Sequence, residues 1–295
     1  MKKVWFITGS SRGLGRSLTE AVLHSGDSVV ATARNTEALK DLKEKYPGQL
    51  QTLQLDVTDE QAVTSVVNEA VSLFGRIDVV VNNAGFGITG AAEAFTREQM
   101  HSQIDTNFWG AVYVTRAVLP HLRKQQSGRI LQVSSIGGRV GTPGVSIYQA
   151  AKFALVGFSE AVSKEVAPLG IKITIIEPGG FRTDWAGSSM TYATNIPDYD
   201  QTVGVMAKVL RSDFVPSGDP VKAAKVMIDV ANHAQPPLHL LLGSDAAGLL
   251  KRANADREEE FNKWLDVTLS TDHDDAVNFF ETDAAQILTM ANANN

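Results

Sequence analysis

A tyrosine and a lysine stand four positions apart in the segment Tyr148-Gln149-Ala150-Ala151-Lys152. Residues i and i+4 share one face of a helix, so the phenol and the ammonium can converge on one point. A free tyrosine titrates at about 10, and a neighbouring cation favours its ionised form. The pair therefore predicts a phenol, its pKa lowered towards working pH by the lysine, that exchanges a proton with an alcohol or carbonyl oxygen. The spacing by itself also arises by chance in helices.

Two serines end the apolar run before this pair, in Ile130-Leu131-Gln132-Val133-Ser134-Ser135. The carboxyl end of a parallel strand lies at the ligand-facing edge of its sheet. A serine hydroxyl there can donate a hydrogen bond to a substrate oxygen and stabilise its developing charge. A simple turn or a helix cap is the other explanation of a Ser-Ser pair.

A glycine-rich segment, Thr8-Gly9-Ser10-Ser11-Arg12-Gly13-Leu14-Gly15, follows the first apolar run. Glycines allow a sharp turn and a close approach to a pyrophosphate, and the next helix offers N–H groups and a positive dipole end. The spacing G-x-x-x-G-x-G differs from the general dinucleotide fingerprint G-x-G-x-x-G. We expect a phosphate-binding turn formed by Gly9, Ser11, Arg12, Gly13, Leu14 and Gly15.

The same turn also matches G-x-S-x-G, the nucleophile elbow of α/β-hydrolases, with Ser11 as the nucleophile. Asp229 and His233 follow in the required chain order. An elbow needs earlier strands and an oxyanion loop, and only ten residues precede Ser11. The hydrolase is therefore the weaker alternative.

The second apolar run ends in Ala31-Thr32-Ala33-Arg34-Asn35, without an acidic residue. In dinucleotide folds an acid at this position binds the ribose hydroxyls of NAD, whereas an arginine accommodates the 2′-phosphate of NADP. Arg34, with Arg12 on the glycine-rich turn, suits a phosphate by bidentate geometry. The sequence predicts NADP(H), unless both arginines are merely solvated surface residues.

Short apolar runs alternate along the chain with segments of helical apolar spacing, which predicts a parallel sheet covered on both faces. Right-handed crossovers would wind the units into one doubly wound Rossmann-type α/β domain, with a seven-stranded parallel sheet of order 3-2-1-4-5-6-7. The predicted strands are Val4–Ile7, Ser28–Ala31, Thr52–Leu55, Asp78–Val81, Ile130–Val133, Ile171–Ile176 and Leu238–Leu242.

Three helices are predicted with their ends. One starts in the glycine-rich segment and stops at Gly26 as a C′ glycine. A second runs from Thr96 to Lys124, with Pro120 bending its last turn. The third runs from Val145 to Val166 and carries Tyr148 and Lys152.

The domain is expected over residues 1–243, followed by a helical extension over 244–295, helical to about residue 290. Residues 184–219, named here the lid segment, hold no clean strand and are broken by Pro197 and Pro216. A stretch of this length is typical of a lid or binding loop. Its apolar and aromatic side chains predict a pocket for a medium-sized apolar carbonyl compound or alcohol, with Gly137, Trp185, Met190 and Tyr192 as substrate contacts.

Composition excludes several classes of protein. The chain has 295 residues, a net charge of −6 and no cysteine, so basic nucleic-acid binding, disulfides and thiolate chemistry are not expected. The six histidines form no metal-binding spacing, so no metal is expected. No apolar run reaches membrane length, and the run after Met1 is too short for a signal peptide. A cytoplasmic protein without a membrane span is predicted.

The motifs occur together and in order: TGSSRGLG at Thr8–Gly15, Asp56, NNAG at Asn82–Gly85, Asn107, Ser135, Tyr148 with Lys152, and Pro178-Gly179. This set resembles the short-chain dehydrogenase/reductase family, in the branch with the short single-domain core, over about residues 3–243. Among its subgroups the chain is most similar to reductases of the 17β-hydroxysteroid and retinol dehydrogenase type. The residues beyond the last strand and the long lid segment depart from the family pattern.

The resemblance implies a catalytic tetrad of Asn107, Ser135, Tyr148 and Lys152. Tyr148 would be the general acid/base, and Ser135, thirteen positions before it, would orient the substrate oxygen. Lys152 would lower the pKa of the tyrosine and hold the nicotinamide ribose, while Asn107 would keep a proton-relay water near it. The further cofactor contacts implied are Asp56 and Val57 at the adenine, Asn83, Ala84 and Gly85 along the channel, and Pro178, Gly179 and Thr183 at the nicotinamide.

A non-catalytic NADP(H)-binding regulator is the alternative from another class. Such proteins tend to lose the tyrosine or the lysine, and this chain keeps Tyr148 and Lys152. An enzyme is therefore expected, with a small-molecule substrate and a monomeric or homodimeric assembly.

Overall fold

The structure, a computed structural model, describes residues 2–185, 190–213 and 215–285. Part of the lid segment and the last residues of the predicted extension lie outside these ranges. The strands are β1 (Val4–Thr8), β2 (Ser28–Ala33), β3 (Leu50–Gln54), β4 (Val79–Asn82), β5 (Gly87–Thr89), β6 (Gly128–Val133), β7 (Ile171–Pro178), β8 (Met190–Tyr192) and β9 (His239–Leu242).

Seven of these strands form one parallel sheet in the order β3-β2-β1-β4-β6-β7-β9. Counted along the chain, this is the predicted order 3-2-1-4-5-6-7, which is confirmed. The chain reverses direction across the sheet between β1 and β4, and ligands in such folds bind outside the carboxyl ends of the strands at this point.

Helices cover both faces of the sheet, which explains the continuous apolar runs. All five residues of β1 are buried. Trp5 and Ile7 pack into the core on one face, whereas Phe6 packs into the core on the other, as the two-residue period of a strand requires. The α-helices of the described residues are α1 (Gly13–His24), α2 (Lys40–Lys45), α3 (Glu60–Phe74), α4 (Arg97–Ile104), α5 (Gly110–Gln125), α6 (Ser146–Val166), α7 (Val205–Lys208), α8 (Pro220–Asn232) and α9 (Ser244–Leu269).

Two predicted helix ends are confirmed. After α1, Gly26 has a φ of +95° in the left-handed region, the conformation of a C′ glycine. α6 runs from Ser146 to Val166 with Val145 as its N-cap. It places Tyr148 and Lys152 one turn apart in its first two turns.

The single predicted helix from Thr96 to Lys124 is wrong in one respect. The start is confirmed, since Thr96 caps α4 in a capping box with Gln99. Between α4 and α5, however, a π-helical turn occupies Asp105–Trp109. π-turns frequently occur at functional sites, and apolar spacing over a long helix does not reveal one extra residue in a turn.

The lid segment contains a strand, contrary to the prediction that it has none. β8 pairs in parallel with β5 in a separate two-stranded sheet, with Gly87 opposite Met190 and Thr89 opposite Tyr192. Three-residue strands are too short to show the alternation of apolar and polar residues that predicts a strand. The pairing of β5 with β8 is therefore seen only in the structure. Further on, the lid turns through a π-turn at Asp200–Gly204, α7, and a second π-turn at Val209–Asp213.

The extension is less helical than predicted. α9 ends at Leu269, a 3₁₀ turn follows at Phe279–Glu281, and helix resumes at residues 283–285, where the described range ends. Asp272, Asp274 and Asp275 follow soon after Leu269, and aspartate favours turns over helix interiors. Within the described ranges, no helix combines the length and apolarity that crossing a membrane would need.

Candidate active site

A cavity of about 460 Å³ opens at the carboxyl edge of the main sheet. It extends from Arg12 and Arg34 to Tyr148, and it is bounded by residues that follow β1, β2, β3, β4, β6 and β7. The sequence-predicted residues that line it are Gly9, Ser11, Arg12, Gly13, Leu14, Arg34, Asp56, Val57, Asn83, Ala84, Gly85, Ser135, Gly137, Tyr148, Lys152, Pro178, Gly179, Thr183 and Trp185.

The glycine-rich turn is tied to the end of β4. The Asn83 side-chain amide donates to the carbonyl oxygens of Thr8 (2.9 Å) and Gly9 (3.1 Å), and the Thr8 hydroxyl accepts from the N–H groups of Asn83 and Ala84. Gly9 has a φ of +67°, and a Cβ there would lie 2.9 Å from Cα of Ala84. Asn83 therefore fixes the floor of the turn as well as lining the cavity.

Gly15 has a packing role. It is buried and does not line the cavity. A Cβ at Gly15 would lie 2.4 Å from the carbonyl oxygen of Gly9, so only glycine lets the first turn of α1 pack against the glycine-rich turn.

The amino end of α1 faces the cavity without a side-chain cap. Arg12 is the N-cap residue, with an extended backbone and no side-chain hydrogen bond to the helix N–H groups. Such N–H groups and the helix dipole attract an anion. Arg12 and Arg34 are both exposed at this end of the cavity, where an anionic ligand would meet two guanidinium groups.

Asp56 and Val57 form the cavity wall next to the end where an anion would bind. The Asp56 carboxylate accepts hydrogen bonds from the backbone N–H (3.0 Å) and the hydroxyl (2.8 Å) of Thr58. Val57 is buried and packs near Gly110 at the start of α5. The loop after β3 is thus held in shape and presents a polar group beside an apolar one.

The structure separates the two serines that the sequence left open. The buried Ser134 hydroxyl donates to the backbone carbonyl of Lys152 (3.4 Å) and anchors the strand end to α6. The Ser135 hydroxyl donates to the carbonyl oxygen of Pro178 (3.4 Å) and accepts from the N–H of Gly137 (3.0 Å), and it lies close enough to Tyr148 to affect the pKa of the phenol. Both serines line the cavity, but the hydroxyl of Ser134 is engaged with α6, and Ser135 is the serine that affects Tyr148.

Tyr148 and Lys152 are both buried at the closed end of the cavity. The Lys152 ammonium lies 5.8 Å from the centre of the Tyr148 ring and donates to the carbonyl oxygen of Val133 (2.8 Å). The predicted convergence of the phenol and the ammonium is confirmed.

The predicted direction of the tyrosine pKa is wrong. Burial raises the pKa of Tyr148 to about 12, and the nearby Ser135 hydroxyl only partly opposes it. Burial also lowers the pKa of Lys152 to about 8. Removing both groups from water penalises their charged forms, and this desolvation outweighs the expected effect of the lysine on the phenol. At neutral pH Tyr148 is a protonated phenol, ready to donate.

Asn107 lies in the π-turn, buried and turned towards the loop after β4. Its side-chain amide donates to the carbonyl of Phe86 (2.8 Å), and its carbonyl oxygen accepts from the N–H of Phe86 (3.0 Å). Asn107 does not line the cavity, whereas its neighbour Thr106 and its partner Phe86 do. In this structure the side chain positions the cavity wall at Phe86.

Asp245, at the start of α9, is a cavity residue that the sequence analysis missed. Its carboxylate accepts from the N–H of Gly180 (2.7 Å), and both Asp245 and Leu249 line the cavity. The sequence could have indicated Asp245, because this residue follows soon after β9 and the carboxyl ends of all parallel strands meet at the same edge of the sheet. The extension therefore takes part in the site.

The four predicted substrate residues divide into two pairs. Trp185 and Gly137 line the cavity, and the Trp185 ring lies 5.3 Å from the Tyr148 ring. Met190 is buried beside Gly87 in the small sheet. Tyr192 lines a second cavity of about 350 Å³, where the guanidinium of Arg211 lies 3.8 Å from its ring centre. Met190 and Tyr192 do not line the cavity that contains Tyr148.

The apolar end of the cavity is formed by side chains from four segments. The segments lie after β4, after β6, before α6 and in the lid. Their side chains at this end are those of Phe86, Ile136, Val140, Val145, Trp185, Met206, Val209 and Leu210. Leu249 of α9 also lines the cavity. Arg139 and Arg182 do not line the cavity. Arg139 pairs with buried Glu177 (3.0 Å), and Arg182 donates to the Pro216 carbonyl (2.9 Å).

The hydrolase alternative finds no support at this site. Asp229 lies within α8 and His233 is its C-cap residue, and neither lines the cavity that contains Ser11. Among residues 2–185, 190–213 and 215–285, no group of three His, Asp or Glu side chains is placed to hold a metal ion.

Comparisons with known proteins point to one family and one fold. The family model described as short chain dehydrogenase matches residues 3–192. Oxidoreductase BOA17 of Botryotinia fuckeliana is 48% identical over 276 residues, covering 92% of this chain and 100% of that protein. The crystal structure of a short-chain dehydrogenase from Streptomyces avermitilis is 38% identical, covers 92% of this chain and 100% of its own, and superposes with a TM-score of 0.89. The structure of ElxO with NADP bound is 28% identical, covers 82% and 96%, and has a TM-score of 0.68.

Proposed function

The chain belongs to the short-chain dehydrogenase/reductase family and is an oxidoreductase, and from this premise we propose that it is an NADP(H)-dependent reductase of medium-sized apolar carbonyl compounds, with Tyr148 as its general acid/base. The observation that carries the proposal is the cavity itself. One end holds two exposed arginines beside an uncapped helix, and the other holds a buried phenol, a buried ammonium and apolar walls.

The residues at the open end fit a dinucleotide with an extra phosphate. The absence of side chains at Gly9 and Gly13, which both line the cavity, would let a pyrophosphate approach the backbone at the start of α1. Arg12 and Arg34 would hold the 2′-phosphate, and Asp56 and Val57 would contact the adenine. The NADP named for the related ElxO supports this choice.

The cofactor, when bound, supplies or accepts a hydride at the carbonyl carbon. The chain's own residues would bind the carbonyl oxygen of the substrate and supply its proton. The hydroxyls of Ser135 and Tyr148 would donate hydrogen bonds to it, and Tyr148 would transfer its proton as the carbon–oxygen double bond becomes a single bond. The phenol loses one proton and the new alcohol gains it, so the charge of the added hydride is balanced.

Lys152 would act on this step through its charge. Its ammonium, close to the Tyr148 ring, would stabilise the phenolate left after proton transfer and hold the cofactor ribose. Asn107 would position Phe86 and the proton-relay path near Lys152, the role implied by family resemblance. A phenol that is protonated at neutral pH can donate the proton that reduction of a carbonyl compound requires.

The substrate class follows from the closed end. Its walls offer Trp185, Val145 and Leu210 and, apart from Lys152, no described cation. Burying a phosphorylated or dicarboxylate substrate there would leave charge unpaired. Aryl, cyclic or long-chain ketones and aldehydes would instead gain by desolvation.

The test is oxidation of NADPH by the purified protein against a panel of carbonyl compounds. Hydrophobic ketones and aldehydes should be reduced, and sugar phosphates should not. Binding of NADPH without turnover of any carbonyl compound would favour the non-catalytic regulator. Turnover confined to sugar phosphates would overturn the apolar pocket and leave the family assignment standing.

A further inference from the structure

Part of the connection between β6 and α6 forms a thin wall of the catalytic cavity. This part, residues 140–142, is named here the wall loop, and its Val140 and Thr142 both line the cavity. Gly141 between them is exposed, and a Cβ there would meet nothing within 4 Å. In the described part of the chain, the backbone of the wall loop forms one hydrogen bond with another backbone group, from the N–H of Val140 to the carbonyl of Ile136 (3.0 Å). The wall loop therefore depends on a side chain to hold it in place.

Gln149 holds the wall loop from the first turns of α6. Its side-chain carbonyl oxygen accepts a hydrogen bond from the N–H of Thr142 (2.9 Å), and its side-chain nitrogen donates to the carbonyl of Val140 (2.9 Å). Because an N–H must meet an oxygen and a carbonyl must meet an N–H, the two partners fix the orientation of the amide. One side chain thus satisfies two backbone groups on either side of Gly141.

Burial makes these two hydrogen bonds difficult to replace. Gln149 is 7% exposed and lines the cavity, as does Tyr148 before it. A buried polar group that loses its partner keeps the full cost of its removal from water, so a side chain without an amide would leave both loop groups and the cavity wall poorly satisfied. The glutamine therefore fixes the wall loop against the helix that carries the catalytic tyrosine.

The earlier part of the same connection is fixed from other elements. The Ser135 hydroxyl accepts from the N–H of Gly137 (3.0 Å) and donates to the carbonyl of Pro178 (3.4 Å). Arg139 pairs with the buried Glu177 of β7 (3.0 Å). Loss of the glutamine bonds should therefore move the wall loop and leave the catalytic serine in place.

We propose that Gln149 is a positioning residue that sets the width of the substrate pocket. The inference rests on the proposed function, since it assigns the wall loop to the carbonyl substrate. The effect of Gln149 passes through Val140 and Thr142, whose placement decides which carbonyl compounds fit against Tyr148. A change at Gln149 should therefore alter KM and leave kcat nearly unchanged.

Gln149→Glu tests the donor half of the amide. Above neutral pH its carboxylate can accept from the N–H of Thr142 but cannot donate to the carbonyl of Val140. KM for a hydrophobic ketone should then rise about tenfold, and kcat should stay within about threefold of the wild-type value. Burial raises the pKa of the new carboxyl above the ordinary glutamate value of about 4.3. On acidification the protonated carboxyl can donate again, so the ratio of the variant KM to the wild-type KM should fall towards one.

Gln149→Met and Gln125→Glu are the matched controls. Methionine is unbranched, flexible and unable to donate, so KM should be raised at every pH without recovery in acid. Gln125 forms the same pair of bonds with the N–H (3.4 Å) and the carbonyl (2.8 Å) of Ile77, before β4, and it does not line the cavity. Gln125→Glu should therefore lower stability and leave KM unchanged.

Hydrogen exchange measures the hold of Gln149 on the wall loop without any substrate. By mass spectrometry, the N–H of Thr142 should exchange faster in Gln149→Met than in the wild type, and it should be unchanged in Gln125→Glu. Circular dichroism confirms that each variant is folded, and NADPH should bind all of them alike. Unchanged exchange or unchanged KM in Gln149→Met, or an equal rise of KM in Gln125→Glu, would overturn the proposal. If the wild type reduces no carbonyl compound, the proposed function fails, and the exchange result still decides whether Gln149 holds the wall loop.

Discussion

The two ends of the cavity differ in how far their charged and titratable side chains are exposed to water. At the closed end, Tyr148 and Lys152 are removed from water, and Lys152 is fixed by a backbone carbonyl. At the open end, Arg12 and Arg34 are exposed. Burial raises the pKa of Tyr148 to about 12 and lowers the pKa of Lys152 to about 8, whereas contacts made by the exposed arginines are screened by water and salt.

This contrast indicates how chemistry and selectivity are divided in the molecule. Proton transfer needs a dry and preorganised site, because there each hydrogen bond is electrostatically strong. Cofactor choice needs only fixed charges at a rim, because it depends on one phosphate group. Substitutions at the closed end should therefore change rate, and those at the open end should change affinity.

The largest effect is expected at the closed end, for Tyr148→Phe. The change keeps the ring contact with Trp185 and removes the proton, so kcat should fall about 10²–10⁴-fold while the Kd for NADPH stays unchanged. Steady-state kinetics and fluorescence titration measure the two quantities. Tyr113→Phe, a conservative change on α5 outside the cavity, is the control. Near-normal turnover by Tyr148→Phe would refute the proposed mechanism.

At the open end, Arg34→Asp should change affinity and spare the chemistry. A hydrogen bond to a charged group contributes about 1.5–3 kcal/mol, so the Kd for NADPH should rise about 10–100-fold and the preference over NADH should be lost or reversed. kcat at saturating cofactor should stay close to that of the wild type. Arg97→Asp, on α4, controls for net charge. Equal affinity of the wild type for NADPH and NADH would contradict the phosphate subsite.

Lys152→Met tests the cost of burying a charge. Burial lowers the pKa of Lys152 from 10.5 to about 8, so the folded protein releases this proton earlier than the unfolded chain. The contribution of Lys152 to the free energy of unfolding is therefore lowest below pH 8 and rises between about pH 8 and 10.5. Methionine removes this penalty, so the variant should be inactive yet more stable by on the order of 1–3 kcal/mol at pH 7.

Urea unfolding at several pH values measures that difference. The gain of Lys152→Met over the wild type should shrink above pH 8 and vanish near 10.5. Tyr148 affects both proteins alike, since its raised pKa lowers stability only in the window above about 10. If the variant is less stable than the wild type at pH 7, the contacts of Lys152 in the folded protein stabilise it by more than its burial destabilises it.

The smallest effects separate the residues of the two cavities. Trp185→Ala removes an apolar wall and should raise KM for a hydrophobic ketone about tenfold. Tyr192→Phe should change kcat/KM by less than about twofold, because Tyr192 lines the second cavity and its buried hydroxyl has no hydrogen-bond partner. A large loss of activity in Tyr192→Phe would restore it as a substrate contact.

Much of the fold was predictable because its signals are local. Most strands of the main sheet contain a short apolar run, and chirality leaves few ways to order seven strands. The convergence of Tyr148 with Lys152 follows from helix geometry alone. The placement of Gly9 and Arg34 follows from their positions directly after strands.

The rest depends on contacts distant in sequence. The pairing of Gly87–Thr89 with Met190–Tyr192 joins segments about a hundred residues apart, and no period in either predicts it. Asn107 shows the same limit, because the helical pattern cannot reveal a π-turn that directs its side chain to Phe86. The pKa of Tyr148 could not be predicted either, because it depends on how completely the fold excludes water.

Transfer of deuterium from deuterated NADPH to a hydrophobic ketone tests the central claim most directly. With the label at the transferable nicotinamide position, mass spectrometry should find one deuterium on the carbinol carbon of the product alcohol. Tyr148→Phe should bind the labelled cofactor and transfer the label at least a hundredfold more slowly, on the order of the loss of a general acid. If wild-type protein binds NADPH and transfers no deuterium to any carbonyl compound, or Tyr148→Phe transfers it at the wild-type rate, the proposed reduction by this site is contradicted.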